Sequence, residues 1–107
     1  MILGFNFVEH ETLAGKMNYI QSWVIVHSRL YYHYSNNIYS DHRFDEVAKG
    51  LAELMFENKD IKKESRYGYV FEDDYDGSSG VGLFEALNDL HAKRLEKVAI
   101  YINKATK

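Results

Sequence analysis

The sequence predicts a mostly α-helical single domain, and three observations carry that prediction. The chain has 107 residues, enough for one hydrophobic core and too few for two. It has no proline, so helices can run without the kink or break that residue imposes. Apolar residues recur at helical spacing in three long stretches.

The first stretch predicts a helix over about Thr12 to Tyr34, with Leu13, Met17, Ile20, Val24 and Tyr31 along one face. Trp23, Ile25, Val26 and Leu30 widen that face, so the helix should be largely buried. Thr12 suits the N-cap. The turn formers Ser35, Asn36 and Asn37 follow, and Ser40 or Asp41 caps a second helix to about Asn58. Its core face is Phe44, Val47, Ala48, Leu51, Leu54 and Met55. So short a connection makes the two helices an antiparallel αα-hairpin.

The middle of the chain is less regular. Tyr67, Tyr69 and Phe71 alternate with Gly68 and Val70 in an irregular or short β-like run, and an acidic, Gly- and Ser-rich loop spans Asp73 to Gly82. A long C-terminal helix is expected from about Leu83 to Lys104, on a stripe of Leu83, Leu87, Leu90, Arg94, Val98, Tyr101 and Ala105. Met1 to Val8 is expected to pack as an extended arm. It is too short for a membrane span and lacks a basic leader.

Composition narrows the function classes. The formal net charge is −3, without the basic excess a nucleic-acid binder uses against phosphate. Lys59, Lys62, Lys63 and Arg66 read as a solvated segment. Without cysteine there is no thiolate chemistry and no disulfide framework, which fits a cytoplasmic protein. The nine tyrosines suit a ligand pocket or an interface, since each pairs a buried ring with a polar handle.

Hairpin geometry selects a candidate site. It brings the end of the first helix beside the start of the second, so Tyr32 and His33 fall near Asp41, Phe44 and Asp45. Asp41 and Asp45, four residues apart, share a helix face. Aromatic rings with two carboxylates suit a flat ligand that is cationic or bears hydroxyls. Each residue also has a structural explanation, such as offsetting a helix dipole or closing the hairpin core.

The stretch Tyr31-Tyr32-His33-Tyr34-Ser35-Asn36-Asn37-Ile38-Tyr39-Ser40-Asp41-His42-Arg43-Phe44-Asp45-Glu46-Val47 resembles the N-terminal Ia domain of NAD-dependent DNA ligases. The similarity extends to about Leu54. That domain closes over NAD and holds its nicotinamide mononucleotide (NMN) half. The resemblance implies that Tyr32 stacks on nicotinamide, His33 faces the phosphate, and Asp41 and Asp45 take the amide or ribose. Phe44 stands where the family has tyrosine, and the turn is shorter and lacks the family's common proline. The Asp76-Gly77-Ser78 loop and the final helix look more like small stand-alone phage proteins described as ligase-related, which implies a phage source and a host-cell cytoplasm.

Other motifs fail on chemistry. Asp74-Tyr75-Asp76-Gly77-Ser78 mimics a phosphotransferase motif that needs a parallel α/β sheet, and only 29 residues follow Ser78. Read as a nucleotidyltransferase motif, the same loop has Asp74 in the lysine position, so no phosphoramidate can form. A calcium loop with Gly77 at its turn would place Leu83 where a bidentate glutamate is needed. The histidines show no metal-ligand spacing. His10, His27 and His91 are read as packing or surface residues.

The expected function is therefore a non-catalytic module binding NMN or NAD, with no required cofactor, no metal, no direct nucleic-acid contact and no membrane. Two alternatives remain open. One is a protein-interaction inhibitor of a host enzyme or defence system, acting through Glu72, Asp73, Asp74, Tyr75 and Asp76. The other is an accessory subunit to a separate ligase catalytic domain.

Overall fold

The structure is a computed structural model that describes residues 12–106; the expected arm over Met1 to Val8 lies outside them. The described residues form four α-helices, α1 (Leu13–Tyr32), α2 (Asp41–Glu57), α3 (Lys59–Glu64) and α4 (Asp89–Thr106), with single 3₁₀ turns at Gly68–Val70 and Phe84–Ala86. Helices α2, α3 and α4 all pack around α1, whose Trp23 to Ser28 segment is buried without interruption. No helix among the described residues is long and apolar enough to cross a membrane.

Helix α1 starts as expected, with the Thr12 hydroxyl accepting from the Gly15 N–H at 3.0 Å. It stops because Ser35 turns into the left-handed region at φ 52°, letting the Asn36 N–H close on the Leu30 carbonyl at 2.8 Å. Chain direction then reverses. Gln21 meets Met55, while Trp23 and Ser28 lie beside Phe44, so α1 and α2 run antiparallel. Ser40 caps α2 by accepting from the Arg43 N–H at 3.1 Å, an interaction worth about 1 kcal/mol. That cap fixes the turn of helix carrying Asp41, Phe44 and Asp45.

The middle segment holds a short helix and a 3₁₀ turn where the sequence predicts an irregular or short β-like run. Lys59–Glu64 forms α3, and the β-like run is a 3₁₀ turn. Its inward residues are Tyr67, Val70 and Phe71, while Tyr69 is exposed. A three-residue turn puts positions 67 and 70 on one side, which alternation cannot do. Gln21 fastens this segment to α1. Its fully buried side-chain amide donates to Ser65 Oγ at 2.9 Å and accepts from the Tyr67 N–H at 3.3 Å.

The long C-terminal helix is present but begins at Asp89, not Leu83. Leu87 is extended, and Asn88 caps the new helix by accepting from the His91 N–H at 2.9 Å. The expected stripe is corrected accordingly. Leu95, Ala99 and Ile102 face the core, whereas Leu90 and Tyr101 are 64% and 67% exposed. Leu83 and Leu87 are buried, but from the turn before the helix.

Candidate functional site

At the open end of the α1–α2 hairpin lies a cavity of about 240 Å³. Tyr31 and Tyr32 line it from the last turn of α1, and Asp41, Phe44 and Asp45 from the first turns of α2. The connection adds Asn36 to Tyr39. His27 and Ser28 line it from one turn deeper in α1, and Ser78, Ser79 and Gly80 from the acidic loop.

Four of the five residues expected at the site therefore line one cavity: Tyr32, Asp41, Phe44 and Asp45. His33 does not. It lines an adjoining groove of about 180 Å³ with Arg29, Phe84 and Glu85, and its ring meets Tyr34 edge-on at 4.7 Å. Ser28, Tyr32 and Gly80 border both spaces, so the groove and the cavity are continuous neighbours.

Rigid and adaptable parts are distinct. Phe44 stacks on Trp23, ring centres 6.2 Å apart, and Tyr39 meets Trp23 at 5.4 Å. Tyr32 is 54% exposed and meets Tyr31 at 4.8 Å with the two rings nearly perpendicular. The loop wall is fixed by close approach. Gly80 sits against Ser28 Oγ and the Phe44 ring, and Gly77, at φ 80°, sits against the backbone of Ala48 and Lys49. Asp76 shapes the same loop by accepting from the Ser78 N–H at 2.9 Å; hydrogen bonding from the Ser78 side chain first, and from this backbone N–H second, holds its carboxyl below the usual range.

The electrostatics have one sign. Among the described residues that line the cavity, Asp41 and Asp45 are the only formally charged groups, and none is lysine or arginine. The nearest cation of the groove, Arg29, donates to Glu96 at 2.7 Å and lies over the Phe84 ring at 4.3 Å. That hydrogen bond raises the guanidinium pKa and lowers the Glu96 carboxyl. Burial pushes the His27 imidazole down to about 4, so it is neutral near pH 7.

Two contributors were missed by sequence reading. His27 was assigned to packing or surface, yet it lies one helical turn before Tyr31, as Ser28 does before Tyr32. That i, i+4 relation was the available signal. The Ser78-Ser79-Gly80 wall has no local signal, since only the tertiary fold brings it to the hairpin.

The acidic run is divided in its placement. Glu72, Asp73 and Asp74 are exposed, with Asp73 accepting from the Lys62 ammonium at 3.1 Å. Tyr75 turns inward, packing edge-on against Phe71 at 5.0 Å, and burial pushes its hydroxyl up to about 12. Among the described residues no cluster of three or more His, Asp or Glu side chains could hold a metal ion.

No family model matches the chain, and comparison with curated proteins and with solved structures finds no match.

Proposed function

We propose that this protein is a non-catalytic binding module for a nicotinamide nucleotide, either NMN or the NMN half of NAD. The single observation that carries this reading is the cavity that joins aromatic rings to two aspartates, with no lysine or arginine among the described lining residues. An oxidised nicotinamide ring is flat and cationic. Tyr32 offers it a π face, and the carboxylates offset its charge and accept from its amide or ribose hydroxyls. The volume is below the roughly 300–1,000 Å³ typical of drug-sized sites, which favours a nucleoside-sized half over a whole dinucleotide. On this reading the phosphate, which the acidic cavity would repel, lies in the adjoining groove beside His33, where Arg29 is already paired with Glu96 and Glu85 also lines the wall. The ligase-domain resemblance gives the same division of roles. Action in the cytoplasm, and work beside a separate ligase catalytic domain, belong to this proposal.

Calorimetric titration of the full chain with NMN tests it. Asp45→Asn keeps the shape and removes the charge. A hydrogen bond to a charged group is worth about 1.5–3 kcal/mol, so the variant should bind roughly 10- to 100-fold more weakly. The reduced ligand, whose ring is neutral, should also bind less well than the oxidised one. Absence of heat at millimolar NMN would defeat the reading.

A second reading rests on the exposure of Glu72, Asp73 and Asp74 together. An acidic surface can cover a basic channel on a host enzyme, as an anti-defence inhibitor would. Reversing these three charges should then abolish capture of the host target while leaving NMN binding intact. Retained capture by the reversed variant rejects this surface.

A further inference from the structure

We propose that the outward face of α4 is a docking surface for an acidic, amphipathic helical segment of a partner protein. This goes beyond the nicotinamide-nucleotide reading and does not rest on it, because no residue of α4 is among the described residues lining the cavity.

Helix α4 packs on the body through Leu95, Ala99 and Ile102. With about 3.6 residues per turn, Leu90, Arg94, Lys97 and Tyr101 fall together on the opposite side, spaced i, i+4, i+7 and i+11. Lys104 extends that seam by one turn, and Lys93 and Ile100 border one edge of it. The seam from Leu90 to Tyr101 is about 16 Å long, a length that three turns of a partner helix would cover. Its apolar members Leu90, Ile100 and Tyr101 are all exposed.

The charge on this face has one sign. Lys93, Arg94, Lys97 and Lys104 are exposed, and beyond Asp89 in the first turn no exposed residue of the helix is acidic. Glu96, at the edge, already accepts from Arg29 and Tyr34. The ion pairs among the described residues lie elsewhere and include none of these four cations. Lys104, in the last turn, offsets the helix macrodipole, but the other three stand further back along the helix. A face that serves solubility alone mixes its charges, as α2 does with Arg43 beside Glu46 and Lys49 one turn before Glu53.

The combination selects the occupant. Carboxylates on a partner helix would pair with Arg94 and Lys97 while its apolar residues cover Leu90, Ile100 and Tyr101. An interfacial helix on a bilayer keeps its apolar side free of cations, whereas Arg94 and Lys97 sit between Leu90 and Tyr101. Nucleic-acid phosphates would gain nothing from Leu90 and Ile100, and the net charge of −3 opposes them. A second copy presenting the same face would set cation against cation. The chain's own acidic run offers no apolar counterpart, since Tyr75 turns inward and Asp73 is held by Lys62.

The test is fluorescence anisotropy on the full chain with a labelled synthetic helical peptide that carries leucine along one face and glutamate beside it. The peptide should bind, and binding should weaken as salt rises. The double variant Arg94→Glu, Lys97→Glu and, separately, Tyr101→Ala should each weaken it about tenfold or more while keeping the wild-type circular dichroism spectrum. No binding at millimolar peptide, or full binding by the folded variants, overturns the proposal. Equal binding of a polyglutamate peptide without leucine also overturns it, since the face would then only attract anions. Tighter binding to duplex DNA or to phosphatidylserine vesicles, or a sedimenting dimer that Tyr101→Ala dissolves, assigns the face to a different occupant and overturns it as well.

Discussion

Gly77→Ala is expected to lower folding stability by about 3 kcal/mol and to detach the loop wall from the cavity. Two separate costs add. Gly77 has φ 80°, and an L residue in that region costs about 1–2 kcal/mol. A Cβ there would also stand 2.6 Å from the Lys49 N and 2.7 Å from the Ala48 carbonyl carbon and oxygen. Those atoms belong to the middle of α2 and cannot rotate aside as a flexible side chain does. Overpacking of this kind costs about 1–3 kcal/mol. At about 4–8 °C per kcal/mol for a domain of this size, the melting temperature should fall by roughly 10–20 °C. On the proposed nicotinamide-nucleotide reading, NMN binding should weaken in parallel, because the contact of Gly77 with α2 helps place Ser78, Ser79 and Gly80. Gly50→Ala is the control. Gly50 lies within α2 with nothing inside 4 Å of its added Cβ, so alanine should stabilise by about 0.5–1 kcal/mol. A Gly77→Ala melt within about 2 °C of wild type contradicts the close approach.

The contrast between these two glycines shows what sequence can and cannot convey. The hairpin was legible because its signals are local: Thr12 and Ser40 as caps, apolar spacing along each helix, and a short polar turn between them. The middle segment and the start of the C-terminal helix were not, because local pattern competed with tertiary contact. Tyr67, Tyr69 and Phe71 alternate like a strand, yet Gln21 holds the backbone of this segment from across the core. Leu83 and Leu87 continue the period of the last helix, but the break at Leu87 and the Asn88 cap divide them from it. The site divides the same way. Tyr32, Asp41, Phe44 and Asp45 follow from hairpin geometry, whereas His33 sits round the rim in the adjoining groove. The loop wall depends on Gly77 and Gly80 meeting helices at least 28 residues away in sequence, a relation no local window contains.

His27 should make the protein's stability depend on pH between about 4 and 6.5. In the unfolded chain its imidazole titrates at the ordinary 6.5, and in the folded chain burial holds it down at about 4. Between these values the unfolded state binds a proton that the folded state refuses, so stability rises with pH across the window. The contribution is complete above the unfolded value and is lost as pH falls through the folded one. A displacement of this size corresponds to about 3 kcal/mol. Asp41 and Asp45 line the same cavity, but burial is the cause of the His27 displacement. His91 is also lowered by burial and by Arg94 and Arg66, which gives a slope of the same sign. The difference between wild type and His27→Gln cancels that background. Glu96 and Asp76, held low by their hydrogen bonds, lose their contributions only as pH falls below the ordinary carboxylate range. Urea unfolding from pH 4 to 7.5 should therefore show a steep acid-side decline in the wild type and a shallow one in His27→Gln. Parallel curves would mean that the imidazole accepts a proton as readily in the folded state as in the unfolded one, and would overturn the effect of burial.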